Sequence, residues 1–131
     1  MILVDSSVWI DYFNGRKTTK TDWLDSALGD EQIIMGDLIL AEVLQGFQGD
    51  KDFRTARKLL LTFPFMEMAG QELAVKSAIN YRFLREKGVT VRKTIDVMIG
   101  TFCLKYQLEL LHDDRDFDPM EKYLNLKVVI T

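Results

Sequence analysis

Five carboxylates stand out by their surroundings: Asp5, Glu42, Asp96, Asp114 and Asp116. Asp5 follows the apolar run Met1-Ile2-Leu3-Val4 and precedes Ser6-Ser7. Glu42 interrupts an otherwise apolar helical stretch, Leu38 to Phe47. Asp96 opens another apolar helix, and Asp114 and Asp116 belong to the acidic segment His112-Asp113-Asp114-Arg115-Asp116-Phe117. If such side chains converge, they cannot all stay ionised unaided, because each raises the pKa of the others. A divalent cation resolves that conflict. All-oxygen shells suit Mg²⁺ and Mn²⁺, whereas one histidine, His112, and one cysteine, Cys103, are too few for zinc.

Each acid also has an ordinary structural explanation. Asp5 can accept hydrogen bonds from amides of the helix that follows it. Asp96 near a helix amino terminus is favoured by the helix dipole, and the segment 113–116 reads equally as a solvated turn. Glu42 differs, since a carboxylate in the middle of an apolar helix requires a partner.

The elements that must position these groups follow from periodicity. Residues 1–4 read as a buried strand that runs into a helix over about Ser7–Phe13, stopped by Asn14-Gly15. A second helix is expected from about Lys20 to Leu28 and a strand at Gln32–Met35. A third helix from Asp37 is apolar nearly all round, which predicts full burial. Asp50 or Asp52 is expected to cap a helix that ends before Pro64. Then come a strand at Phe65–Met68, a helix over Gln71–Lys87, a helix capped by Thr94, and strands at Leu108–Leu111 and Lys127–Ile130. This alternation implies an α/β fold, a three-layer α/β/α sandwich around four or five mostly parallel strands. Asp5 and the acids after residue 111 then stand at the carboxyl ends of strands, where open α/β sheets bind ligands.

A chain of 131 residues is one domain, 1–131. Cys103 sits in an apolar helical run and reads as a small buried hydrophobe. No secretory leader or membrane-spanning run is evident, so a cytoplasmic protein with no membrane partner is expected. The net charge of −3 argues by itself against a nucleic-acid partner. With the five acids set aside as metal-facing, however, the rest of the chain is slightly cationic. Its bases fall in local groups, among them Arg16, Lys17 and Lys20, then Lys51, Arg54, Arg57 and Lys58, and Arg92 with Lys93. Each group alone reads as a solvated helix face.

Four stretches taken together, Met1-Ile2-Leu3-Val4-Asp5-Ser6-Ser7-Val8-Trp9-Ile10, Leu40-Ala41-Glu42-Val43-Leu44-Gln45-Gly46, Arg92-Lys93-Thr94-Ile95-Asp96-Val97-Met98-Ile99-Gly100 and Leu110-Leu111-His112-Asp113-Asp114-Arg115-Asp116-Phe117, resemble the PIN-domain nucleases, and among them the VapC-type toxins of toxin–antitoxin pairs. The resemblance spans nearly the whole chain. It implies an endoribonuclease dependent on Mg²⁺ or Mn²⁺, with Asp5, Glu42, Asp96 and Asp114 as catalytic acids. Asp5 and Asp96 are expected to hold the principal ion and Asp114 with Asp116 to complete its shell or hold a second. Glu42 would orient or deprotonate the attacking water, with Ser6 as a supporting donor. Arg92, Lys93 and Arg115 are the nearest candidates to hold RNA phosphates. A homodimer and a VapB-like antitoxin are implied as partners. Trp9, Tyr12, Phe13 and Trp23 could line a groove for the antitoxin or belong to the core. Two positions depart from the family pattern: His112, where Thr is more common, and Gly100, where Ala is common.

Other classes fit less well. A receiver domain wants an acidic pair at the end of its first strand, and a haloacid-dehalogenase-type phosphotransferase wants a second Asp where Ser7 stands. No GxxxxGK loop occurs. A PIN nuclease of RNA maturation and a catalytically silent binding module of the same fold remain as alternatives.

Overall fold

The computed structural model describes all of residues 1–131. Its elements run β1 (Ile2–Val4), α1 (Ser6–Phe13), α2 (Thr19–Ala27), β2 (Ile33–Gly36), α3 (Asp37–Leu44), α4 (Asp50–Leu60), β3 (Phe65–Met66), α5 (Gln71–Glu86), α6 (Thr94–Tyr106), β4 (Glu109–Leu111), a 3₁₀ turn (Arg115–Phe117) and α7 (Asp118–Leu124). The sheet has the order β3-β2-β1-β4, and every pairing is parallel. Leu3 lies opposite Ile34 on one side and Leu110 on the other. β1 is therefore interior, and its three residues are all buried, as a strand covered on both faces must be.

The chain moves outward from β1 through β2 to β3, then returns to lay β4 on the other side of β1. Right-handed crossovers put the helices of the outward and return passages on opposite faces, giving the expected three layers. α1 packs against α2 and α3, whereas α5 packs against α6 and α7. The order reverses between β1 and β4, so the crevice at their carboxyl ends is the topological switch point. Trp9, Phe102, Phe117, Leu3 and Leu110 are fully buried in the core beneath it.

Several expectations need correction. The strand foreseen at Lys127–Ile130 is reduced to one bridge, Leu110 to Val128, and Ile130 is 91% exposed because no further strand covers it. The strand at Phe65–Met68 is two residues long. α3 is not buried all round: Ile39 and Val43 are buried, while Ala41 is exposed and Leu38, Leu40 and Leu44 are half-buried. Packed against α1, α4 and β2, it leaves one face to solvent. Gly49, not Asp50 or Asp52, is the N-cap of α4, and both acids lie in its first turn. Lys93 is the N-cap of α6 and Thr94 its first residue. Sequence periodicity does not reveal α7, which starts with Pro near its first position. Trp9 belongs to the core, while Trp23, Tyr12 and Phe13 are half-buried around it.

Candidate metal centre at the switch point

Parallel pairing of β1 with β4 joins two acid-bearing segments. The Asp5 N–H donates to the Leu111 carbonyl at 2.8 Å, which extends the ladder by one residue beyond Val4. Asp5 then turns the chain into α1. Its backbone is extended and its Oδ2 accepts the Ser7 N–H at 3.1 Å, an N-cap that satisfies an amide the helix cannot pair. The side chain that caps α1 thus also stands at the carboxyl end of β1. The Ser7 hydroxyl donates to the same oxygen at 2.6 Å and accepts the Asp113 N–H at 3.1 Å. Ser7 therefore bridges the end of β1 to the loop after β4. Sequence reasoning singles out Ser6 and misses Ser7; the signal available is a hydroxyl two residues after a capping Asp, where it returns to that Asp.

The carboxylate oxygens of Asp96, Asp114 and Asp116 lie within 4.8 Å of one another. Asp96 comes from the first turn of α6, and the other two from the loop beyond β4. That group contains Asp116 and does not contain Asp5. Asp5 Oδ1 and Asp96 Oδ2 are both buried without a hydrogen-bond partner. An unpaired buried carboxylate oxygen is costly, and a hard cation is the partner that removes the cost. The all-oxygen donor set fits Mg²⁺ or Mn²⁺. Glu42, half-buried on α3, accepts a hydrogen bond from the Ser6 hydroxyl at 3.2 Å.

The electrostatics carry the mark of convergence. Asp96, 3% exposed, has its pKa pushed up to about 7 by burial first and then by the charges of Asp5 and Asp114. Burial also raises the pKa of Asp5 and of Glu42, and Asp5 raises Glu42 further. The four acids of the expected quartet act on one another, although they come from four separate stretches of chain. Lys93 works in the opposite direction, lowering both Glu42 and Asp96. Arg92 reaches Asp116 at 3.4 Å from an exposed position. Of the three basic residues named from sequence, these two face the acids, whereas Arg115 is exposed and makes no ion pair with them.

His112 turns inward. Its Nδ1 accepts the Asp114 N–H at 3.2 Å and its ring lies 4.9 Å from that of Phe117. Burial holds its pKa below the usual value. Cys103 is buried and its thiol is pushed far up by burial, as a core residue. Gly100 is backed by Met120, whose Sδ would stand 2.3 Å from an added Cβ, so its role is packing. No helix is long and apolar enough to cross a membrane.

The structure is a four-stranded parallel sheet with carboxylates that could hold a metal ion gathered at its switch point, and the family model for the PIN domain matches residues 2–123. The chain belongs to the PIN-domain family. Among curated proteins it is similar to Ribonuclease VapC11 of Mycobacterium tuberculosis, 29% identical over 97% of this chain and 96% of that one. Among solved structures, FitAcB from Neisseria gonorrhoeae superposes with a TM-score of 0.76 at 18% identity, covering 99% of this chain and 97% of that one. VapBC2 from Rickettsia felis, bound to a promoter DNA fragment, superposes with a TM-score of 0.74 at 15% identity over 98% of both chains. Both structures share the fold.

Proposed function

We propose that this chain is an endoribonuclease that hydrolyses RNA phosphodiesters with Mg²⁺ or Mn²⁺, and that it is the toxin of a toxin–antitoxin pair. The observation that carries the reading is the convergence of Asp96, Asp114 and Asp116, with unpaired buried oxygens on Asp5 and Asp96 beside them. A phosphodiester repels nucleophiles through its own negative charge; a divalent ion at the acids would neutralise that charge and make water at the site more acidic. Asp5, Asp96, Asp114 and Asp116 would hold the ion. Glu42, raised in pKa and tethered by Ser6, would orient the attacking water and accept its proton. Arg92 and Lys93 would hold the phosphate on the exposed side, with Arg115 further along the backbone.

The similarity to Ribonuclease VapC11 supports ribonuclease activity, and it covers nearly the full length of both chains. The shared fold with VapBC2 of Rickettsia felis supports a VapB-like antitoxin as partner. A homodimer in the cytoplasm, where RNA is at hand, completes the proposal. The test is induced expression in cells followed by sequencing of RNA ends. New, discrete ends and growth arrest are expected, both abolished by Asp96→Asn and by co-expression of a cognate VapB-like antitoxin. Unchanged RNA ends under wild-type expression would contradict the reading.

A further inference from the structure

Two consecutive side-chain-closed turns shape the acidic loop. In the first, His112 Nδ1 accepts the N–H of Asp114, two residues on. In the second, Asp114 Oδ1 accepts the N–H of Asp116, again two residues on, at 2.9 Å. The second is an Asx turn, in which an Asp or Asn oxygen closes a ring on the backbone. The first has the same connectivity with a ring nitrogen in place of the oxygen, since His Nδ1 and Asn Oδ1 are both attached to Cγ. To accept this bond Nδ1 must carry no proton, so the imidazole acts here as an acceptor. The two turns share Asp114, one of the three acids whose oxygens lie within 4.8 Å of one another.

We propose that His112 is a positioning residue: it mimics the acceptor of an Asx turn and fixes the backbone from which Asp114 presents its carboxylate. This inference rests on reading the acids as a metal centre. Two other hydrogen bonds flank Asp114 in the loop, the Asp113 N–H on Ser7 Oγ at 3.1 Å and the Phe117 N–H on the Asp114 carbonyl at 3.2 Å. Neither fixes the amide of Asp114 itself. Loss of the His112 acceptor frees that amide, and the side chain beyond it loses its direction.

The ring also packs against Phe117, which is fully buried, so an acceptor role must be separated from a packing role. Two variants do so. His112→Asn keeps an acceptor on Cγ and loses the ring. His112→Phe keeps the ring and loses the acceptor. Binding of Mn²⁺ alone is measured by calorimetry, and exchange of the Asp114 amide is followed by NMR without metal. The Asn variant is expected to bind Mn²⁺ within about threefold of wild type and keep the amide protected. The Phe variant is expected to bind about ten- to a hundredfold more weakly, as when a supporting partner of a metal ligand is removed, with fast amide exchange. The reverse order, Phe intact and Asn impaired, would overturn the acceptor role and leave the metal centre standing. Absence of Mn²⁺ binding by the wild type would overturn both. The amide readout decides the acceptor role even if a variant's metal binding is too weak to measure.

Discussion

Ser7 donates its hydroxyl to Asp5 Oδ2 at 2.6 Å while accepting the N–H of Asp113, so one side chain ties the first strand's acid to the loop that carries Asp114 and Asp116. Ser7→Ala removes a donor from a carboxylate that is 3% exposed and an acceptor from a backbone amide. A cost of about 1.5–3 kcal/mol in folding stability is expected from the lost hydrogen bond to a charged group. Mn²⁺ affinity is expected to fall about tenfold, by loss of orientation around the site. Denaturant melts and calorimetry on the same variant measure both effects. Ser7→Thr, which keeps the hydroxyl, is expected to recover most of each.

Asp96 gives the metal-free protein a pH dependence whose sign can be worked out. Its pKa is about 7 in the folded state, against an ordinary value of 3.8. The folded state therefore holds a proton that the unfolded state releases between those values. Stability from this group is full below about pH 4, falls as pH rises towards 7, and levels off above. Asp5 and Glu42, also raised, act in the same direction. In EDTA, Asp96→Asn is expected to melt above wild type at pH 8 and near it at pH 4. Addition of Mn²⁺ at pH 8 is expected to raise the wild-type Tm and leave the Asn variant almost unmoved.

Arg92 competes for Asp116 with any cation that binds there. The pair is 3.4 Å apart with the guanidinium side chain 77% exposed, so it adds little to stability and exchanges readily. Arg92→Gln is expected to tighten Mn²⁺ binding about threefold at low ionic strength, with the effect shrinking in salt. The same variant is expected to raise KM for an RNA oligonucleotide with a smaller change in kcat. Arg92→Lys keeps the charge and should bind Mn²⁺ as wild type does.

Gly100 and Met120 make a packing pair between α6 and α7. An added Cβ at Gly100 would stand 2.3 Å from Met120 Sδ, and both residues are buried. Alanine improves helix propensity by about 1 kcal/mol, yet overpacking costs about 1–3 kcal/mol. Gly100→Ala is expected to be mildly destabilising overall. In combination with Met120→Ala the two losses should fall short of additive, as measured by a double-mutant cycle in denaturant.

The sheet, and with it the approach of Asp96 to Asp114 and Asp116, is legible in the sequence because it rests on local patterns with one physical solution. An apolar run ending in Asp5 must be an interior strand, and a carboxylate such as Glu42 within an apolar helix must have a partner. The parallel alternation then brings the ends of β1 and β4 together. What escapes the sequence depends on contacts at a distance. α7 is short and polar, and its burial hangs on Met120 meeting Gly100. The last strand does not form because only Val128 finds Leu110. The composition of α3 suggests full burial, but composition cannot say which of its faces a neighbour covers. The bonds from the Asp113 N–H to Ser7 and from the Asp114 N–H to His112 stay hidden for the same reason: they involve backbone amides, which no residue type reveals.

The central claim is that acids from separate parts of the chain form one metal centre that cleaves RNA. Its most direct test is cleavage of a fluorescent RNA substrate by purified protein in Mn²⁺, comparing wild type with Asp96→Asn and repeating the wild type in EDTA. Wild-type cleavage is expected only with the metal, and the Asn variant, folded by circular dichroism, should lose at least about a hundredfold in rate, on the order of two decades for an essential catalytic group. Equal cleavage by a folded Asp96→Asn protein, or undiminished wild-type cleavage in EDTA, would contradict the account.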